Sequence, residues 1–325
     1  MKRFLVFVVL IYVLVSHGFS LKIGLVLSGG AARGLAHIGV IEKLDEWGIK
    51  PDIVVGTSMG AIVGAAYAFG LNTEQMLELV RIFIEDGALE GMVEFSGAIE
   101  RGGIVPHRKI EEYFREFFEN TKIEDLKVKY ACMAYDLNSE KEVVIDSGDL
   151  VNAITASSAF PGVFEPVKID RMALIDGGIK ENIPIDIARK MGADVIIVSD
   201  VSQKSFSYLP RWYIESVGTI EETVRRLLNF IPKKDELPNL VGILLKTIEN
   251  KNDDYGLNLL GLPNYEDADV VIRPYPDDRN KYLWDFEEYD LLYLYGIVAA
   301  EREKKVLMEV LKESQLPSAH RSGGL

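Results

Sequence analysis

A serine held between two glycines, a run of glycines ahead of it and an aspartate followed by two more are the residues of this chain equipped for chemistry. Gly56-Thr57-Ser58-Met59-Gly60 follows the apolar run Ile53-Val54-Val55 and leads into Ala61-Ile62-Val63-Gly64-Ala65. That order reads as buried strand, tight turn and helix, with Ser58 at the apex. A hydroxyl on a strained turn at a helix N-terminus is exposed for attack on an acyl carbon. Gly56 and Gly60 flank it because a Cβ at either position would meet neighbouring backbone. The G-x-S-x-G pattern also arises in ordinary strand-to-helix loops, and the strand–turn–helix setting is what gives it weight.

The second feature is Ser28-Gly29-Gly30-Ala31-Ala32-Arg33-Gly34, between the strand-like Lys22–Leu27 and a helix in which Leu35, Ile38, Ile41 and Leu44 recur at helical spacing. A glycine-rich turn at a helix N-terminus presents free N–H groups and the positive end of the dipole to an anion. No Gly-Lys-Ser/Thr follows and no G-x-G-x-x-G is present, which disfavours a nucleotide phosphate. With an exposed serine after the next strand, an oxyanion hole is the better reading. A serine nucleophile needs a base. The histidines are His17, His37, His107 and His320, and only His320, near the terminus, follows the third feature, Asp176-Gly177-Gly178. A Ser…Asp…His triad in that order is therefore implausible, and a carboxylate acting directly as base is favoured, with Asp176 the candidate. The alternative for Asp176-Gly177 is a plain hairpin turn.

Taken together, four blocks resemble the bacterial patatin-like phospholipases, a family of Ser–Asp dyad lipid acyl hydrolases. They are Gly-Gly-Ala-Ala-Arg-Gly at 29–34, Gly-Thr-Ser-Met-Gly at 56–60, the Ala-Ser…Phe-Pro…Phe…Pro loop at 156–166 and Asp-Gly-Gly at 176–178. The resemblance covers Lys22 to about Asp200. It implies a three-layer α/β/α fold with a central, mostly parallel sheet and an α-rich insertion after the catalytic core. It implies Ser58 as nucleophile and Asp176, with Gly177 and Gly178 behind it, as general base. It places the oxyanion hole at the amides of Gly29, Gly30 and Ala31, with Arg33 and Gly34 shaping the loop. The first block usually carries a third glycine where this chain has Ala31; if that position needs positive φ, alanine costs about 1 kcal/mol or more. The implied reaction cleaves fatty-acyl esters of phospholipids or lysophospholipids without cofactor or metal. An acyltransferase through the same acyl-enzyme and a non-catalytic lipid-binding module are the alternatives.

Other elements must hold these residues. Residues 72–86 read as a helix, and the glycine-rich but apolar 88–105 as a surface loop or a flap over the site. A helix follows Pro106, Tyr130–Leu137 and Lys141–Asp146 read as paired strands, and a helix over 149–157 leads into a rigid, proline-bounded loop. Met172–Ile175 is a strand entering Asp176. A short helix over Pro184–Met191, a buried strand over Val195–Val198, a last strand over Asp269–Pro274 and a long helix over Leu291–Leu311 complete the series. The βα rhythm breaks over 203–265, read as an insertion, and the tail from Ser314 reads as disordered.

The chain has 325 residues, 48% hydrophobic and 26% charged, which fits one large α/β domain spanning 21–313. Its formal net charge of −14 argues against nucleic acid as a partner. Cys132 is the one cysteine, which excludes a disulfide framework and a cysteine metal site. Lys2-Arg3, the apolar run Phe4–Val15 and the small residues Gly18 and Ser20 have the layout of a secretory signal peptide over 1–20. An extracytoplasmic enzyme is expected, with an uncleaved membrane anchor as the alternative. The aromatic cluster within 206–214, including Trp212 and Tyr213, suits transient contact with a membrane surface.

Overall fold

Short runs of Val, Ile and Leu without polar alternation dictate strands covered on both faces, and a parallel sheet flanked by helices is where such strands occur. The computed structural model describes residues 21–85, 87, 91–202, 265, 267–274 and 285–314. The expected leader, the inserted segment apart from Tyr265 (its 206–214 cluster included) and the tail beyond Ser314 lie outside the described residues.

In chain order the strands are β1 (Ile23–Leu27), β2 (Ile53–Thr57), β3 (Gly103–Val105), β4 (Lys129–Asp136), β5 (Lys141–Ile145), β6 (Gly162–Phe164), β7 (Val167–Ile169), β8 (Met172–Asp176), β9 (Val195–Ser199) and β10 (Val270–Ile272). The helices are α1 (Ala36–Glu46), α2 (Met59–Phe69), α3 (Thr73–Glu85), α4 (Ala98–Arg101), α5 (His107–Phe118), α6 (Leu150–Ser157), α7 (Ile185–Lys190) and α8 (Tyr289–Ser314). The main sheet runs β10-β9-β1-β2-β4-β8-β7, with β5 also on β4. From β10 to β4 every pairing is parallel; β5, β8 and β7 join antiparallel. One face, with Leu25, Leu27 and Val54, packs against Ile38 and Ile41 of α1, Ala61 and Ala65 of α2, Ile154 of α6 and Leu292 of α8. The other, with Val26, Val55, Met133 and Ile196, packs against Ile185 and Ile187 of α7. Each such aliphatic side chain taken out of water stabilises the fold by about 1.5–3 kcal/mol. The expected helix–sheet–helix layering is what forms.

Two local readings change. Residues 98–105 are not an irregular loop: α4 leads into β3, which pairs parallel with β6 through Gly103↔Gly162 and Val105↔Phe164. The segment is thereby tied to the loop that follows α6. The proline-bounded loop itself holds β6, and β7 follows directly and turns at Asp170-Arg171 into β8. Asp176 does not open a hairpin; Gly177–Ile179 is a single 3-10 turn leading on to α7.

Candidate active site

Register on β4 brings Ser58 and Asp176 together. β5 occupies one edge of β4 from Cys132 to Asp136, so β2 and β8 must share the other. On that edge β2 pairs up to Thr57↔Met133, and β8 takes over at Asp176↔Ala134. The C-terminal ends of two strands therefore meet at consecutive residues of a third. Ser58 begins where β2 stops, and Asp176 is the last residue of β8.

At Ser58 the backbone is strained, with φ 55 and ψ −123. The turn persists because its neighbours leave no alternative. A Cβ on Gly56 would stand 2.4 Å from the Gly60 carbonyl oxygen, and one on Gly60 would stand 2.3 Å from that of Leu27. The Ser58 N–H donates to Ser157 Oγ at 3.0 Å, at the end of α6. Its carbonyl accepts from Ala61 N at 2.9 Å and opens α2, whose positive end lies under the serine. The residue is half-buried.

The Asp176 carboxyl is nearly out of solvent and near enough to the Ser58 hydroxyl for that group to bear on its ionisation. Gly178 N donates to its Oδ1 at 2.8 Å. Burial pushes its pKa up to about 6, against the downward pull of the Ser58 hydroxyl and the Gly178 N–H. Its backbone N–H donates to Ala159 O at 3.0 Å, so the loop after α6 holds the strand end.

Ser28 to Ala31 form the third side. The Gly29 carbonyl accepts from Asn182 Nδ2 at 3.2 Å, and the Gly30 carbonyl from Arg33 N at 3.2 Å and Arg33 Nε at 3.5 Å. In a trans peptide the N–H points opposite to the C=O. The N–H groups of Gly30 and Ala31 are thus turned the other way, and among the described residues neither donates to a protein acceptor. Gly29 lies against the serine, since a Cβ on it would be 3.1 Å from Ser58 Cβ. Its own N–H is directed to Asn182 O at 3.4 Å. Ala31 sits at φ 48, the left-handed value that its sequence position made a concern. Arg33 and Gly34 are buried; a Cβ on Gly34 would stand 2.3 Å from Met59 Cγ, so this loop packs directly on the elbow.

Among the described residues no histidine hydrogen-bonds Ser58. His37 is fully buried, with Nε2 2.9 Å from the Ser28 carbonyl oxygen and Nδ1 2.7 Å from Ser199 Oγ. A carbonyl only accepts, so Nε2 carries the proton and Nδ1 accepts from the hydroxyl. Burial lowers its pKa to about 4, and the ring is neutral near neutrality. His107 pairs with Thr155 Oγ1 at 3.3 Å and is also shifted down by burial. Cys132 is buried, with its thiol pushed up to about 12 by desolvation.

Sequence reasoning singled out Ser58, Asp176 and the glycine loop, and the fold gathers all three. It passed over Asn182, Ser157, Ser199 and Glu181. Asn182 touches both the Gly29 loop and the turn after Asp176, for a Cβ on Gly178 would stand 2.8 Å from its Oδ1. Glu181 takes Thr57 Oγ1 on its carbonyl at 3.2 Å, and burial raises its carboxyl pKa to about 7. The one available signal was nearness in sequence to Asp-Gly-Gly.

A family model described as patatin-like phospholipase matches residues 25–189. An uncharacterized NTE family protein of Mycobacterium tuberculosis is 32% identical over 234 residues, covering 70% of this chain and 38% of that protein. A lysophospholipase nte1 of Aspergillus fumigatus is 33% identical over 300 residues, covering 91% of this chain and 19% of that protein. The chain thus spans well under half the length of these curated relatives. Among solved structures, VipD from Legionella pneumophila aligns with a TM-score of 0.46 at 14% identity, over 91% of this chain and 67% of that one.

Proposed function

The chain belongs to the patatin-like phospholipase family, and from that premise we propose that it is a lipid acyl hydrolase in which Ser58 is the nucleophile and Asp176 the general base. The observation that carries the reading is the meeting, at consecutive residues of β4, of a hydroxyl on a strained elbow and a buried carboxyl. With its pKa raised to about 6, Asp176 is ionised at neutral pH yet basic enough to take a proton, the balance a general base needs. It accepts the Ser58 proton as Oγ attacks the ester carbonyl. The carbonyl oxygen becomes an oxyanion, received by the N–H groups of Gly30 and Ala31 beside the N-terminus of α2. Donors of this kind are worth about 3–4 kcal/mol each in the transition state. Asp176 returns the proton to the leaving alcohol, and water, deprotonated by the same carboxylate, cleaves the acyl-enzyme. The Gly29 N–H, directed to Asn182, supports the loop in this scheme.

The named relatives that act on lysophospholipids suggest that substrate class, a single acyl chain on a phosphorylated glycerol. The extracytoplasmic placement and the membrane contact through 206–214 belong to the same reading and rest on sequence. The test is a panel of phospholipids and lysophospholipids with wild type and Ser58→Ala, products identified by mass. Release of free fatty acid by wild type, reduced about 10⁴-fold or more in a folded Ser58→Ala, is the expected result. Turnover that survives the substitution would assign another nucleophile.

A further inference from the structure

The loop that presents the Gly30 and Ala31 amides is anchored at one residue. Ser28 uses every polar group it has: its N–H donates to Ser199 O at 3.1 Å, its Oγ accepts from Val201 N at 2.8 Å, and its carbonyl accepts from His37 Nε2. The Ser28–Gly29 peptide is gripped at both ends, by the imidazole on its C=O and by the Asn182 carbonyl on its N–H. Ser28 is fully buried, so no water can replace the imidazole. The donor is also fixed in kind. Ser199 stands at the end of β9 and its hydroxyl, able to donate or accept, meets Nδ1, while the Ser28 carbonyl, which only accepts, selects the tautomer that carries the proton on Nε2. The opposite tautomer would set a lone pair against the carbonyl oxygen.

We propose that His37 is the positioning residue of the oxyanion loop, holding the Ser28–Gly29 peptide in the one orientation from which the next two N–H groups reach the acyl oxygen. This rests on the acyl-enzyme reading above. His37 touches neither Ser58 nor Asp176, and it moves no proton in the reaction. Without its donor the buried Ser28 carbonyl has no partner, and rotation of that peptide plane carries Gly29, Gly30 and Ala31 with it. Displacements of about 1 Å at such donors lower rates by about 100-fold. The loss would fall on the transition state, because the acyl chain makes no contact with this peptide in the scheme.

The test compares His37→Leu and His37→Gln with wild type on a soluble short-chain ester, and adds a trifluoromethyl ketone of the same acyl chain. Once attacked by the serine, that ketone becomes an oxyanion. For a folded His37→Leu, kcat is expected to fall about 10–100-fold, with KM within about threefold and ketone affinity reduced by the same factor as kcat. Glutamine can place its terminal NH2 where Nε2 stands and should restore most of both. A folded His37→Leu with kcat within about twofold of wild type overturns the proposal, as does a loss confined to KM with ketone affinity unchanged. If His37→Leu does not fold, His37→Asn decides. Its shorter amide reaches the Nδ1 position beside Ser199 but not the Ser28 carbonyl, so kcat and ketone affinity should drop together, and no change in either refutes the proposal. Ser58→Ala, run in parallel, separates this from the parent reading. Ester turnover that does not depend on Ser58 ends both; Ser58-dependent turnover indifferent to His37 ends this one alone.

Discussion

Two turns at the C-terminal ends of neighbouring parallel strands build most of the site, and they are held by opposite means. The turn after β1 and the turn after β2 each force a non-glycine residue to positive φ, Ala31 at 48 and Ser58 at 55. At Ser58 the strain is imposed by backbone packing: Gly56 lies against Gly60, and Gly60 lies against Leu27, at distances only glycine permits. At Ala31 the path is set by polar contacts: His37 of the following helix and the Asn182 carbonyl on the Ser28–Gly29 peptide, the Asn182 side chain on the Gly29 carbonyl, and Val201 on the Ser28 hydroxyl. The first device is local and unforgiving. The second is distributed, and its parts can be removed singly. An elbow that must hold one oxygen in a strained place suits the first, and a loop that must aim two amides suits the second.

The largest break in that comparison is Gly60→Ala. Its Cβ would meet the backbone of Leu27 and Ser28, at 2.3 Å from the Leu27 oxygen and 2.6 Å from the Ser28 oxygen, and neither can move without unpairing β1 from β2. A loss of about 3–5 kcal/mol of stability is expected, of the size that separates soluble from unfolded protein. Denaturant unfolding of the variant measures it, and a midpoint close to wild type would mean that the elbow is not held by packing.

Next in size is Asp176→Asn, which should abolish most activity and make the protein more stable. The folded pKa of Asp176, about 6, lies above its usual 3.8, so the stability its protonated form contributes is present below pH 3.8 and lost as pH rises through 6. Above that the fold carries a buried carboxylate, at a cost of about 3 kcal/mol by linkage. Asparagine keeps an acceptor for Gly178 N and removes the charge. At pH 8 the variant should gain up to about 3 kcal/mol, roughly half of that at pH 5, while kcat falls about 10³-fold. Wild-type kcat/KM should itself decline as pH drops through about 6, where Asp176 takes up its proton. Destabilisation by asparagine at pH 8, or a gain that grows toward pH 5, contradicts the burial account.

The same division explains what was legible in the sequence. The elbow is written in five consecutive residues, and strand, turn and helix around it are equally local, so Ser58 could be found from pattern alone. Asp176 emerged by elimination of histidines and from its glycines. That it meets Ser58 depends on β4 outrunning β2 and lending the same edge to β8, a register no local pattern records. Asn182, Ser157 and Ser199 stayed invisible because each acts through hydrogen bonds to residues about a hundred and more positions away. His37 was visible only as a residue with no base to be. The pairing of β3 with β6 was hidden for a related reason: its strands are three residues long, rich in glycine and far apart in sequence.

The smallest effect, and the one that most sharpens the comparison, belongs to Ala31→Gly. Left-handed φ costs an alanine about 1–2 kcal/mol, and glycine escapes that cost. Glycine also gives the unfolded chain more freedom, which destabilises the fold by about 0.4–1 kcal/mol. The difference is a net gain of about 0.5 kcal/mol, provided the loop path is already fixed by its polar anchors and does not relax when the methyl group is removed. Under that condition kcat should stay within about twofold, since both amides keep their direction and no side-chain contact is involved. Ala32→Gly is the internal control: Ala32 is fully buried next door without a positive φ, so glycine there should cost about 1 kcal/mol. Opposite signs at adjacent positions, read as shifts in thermal midpoint, would show strain stored at Ala31 alone. If instead Ala31→Gly lowers kcat tenfold or more, the alanine is itself stiffening the loop, and the oxyanion side is held locally after all, as the elbow is.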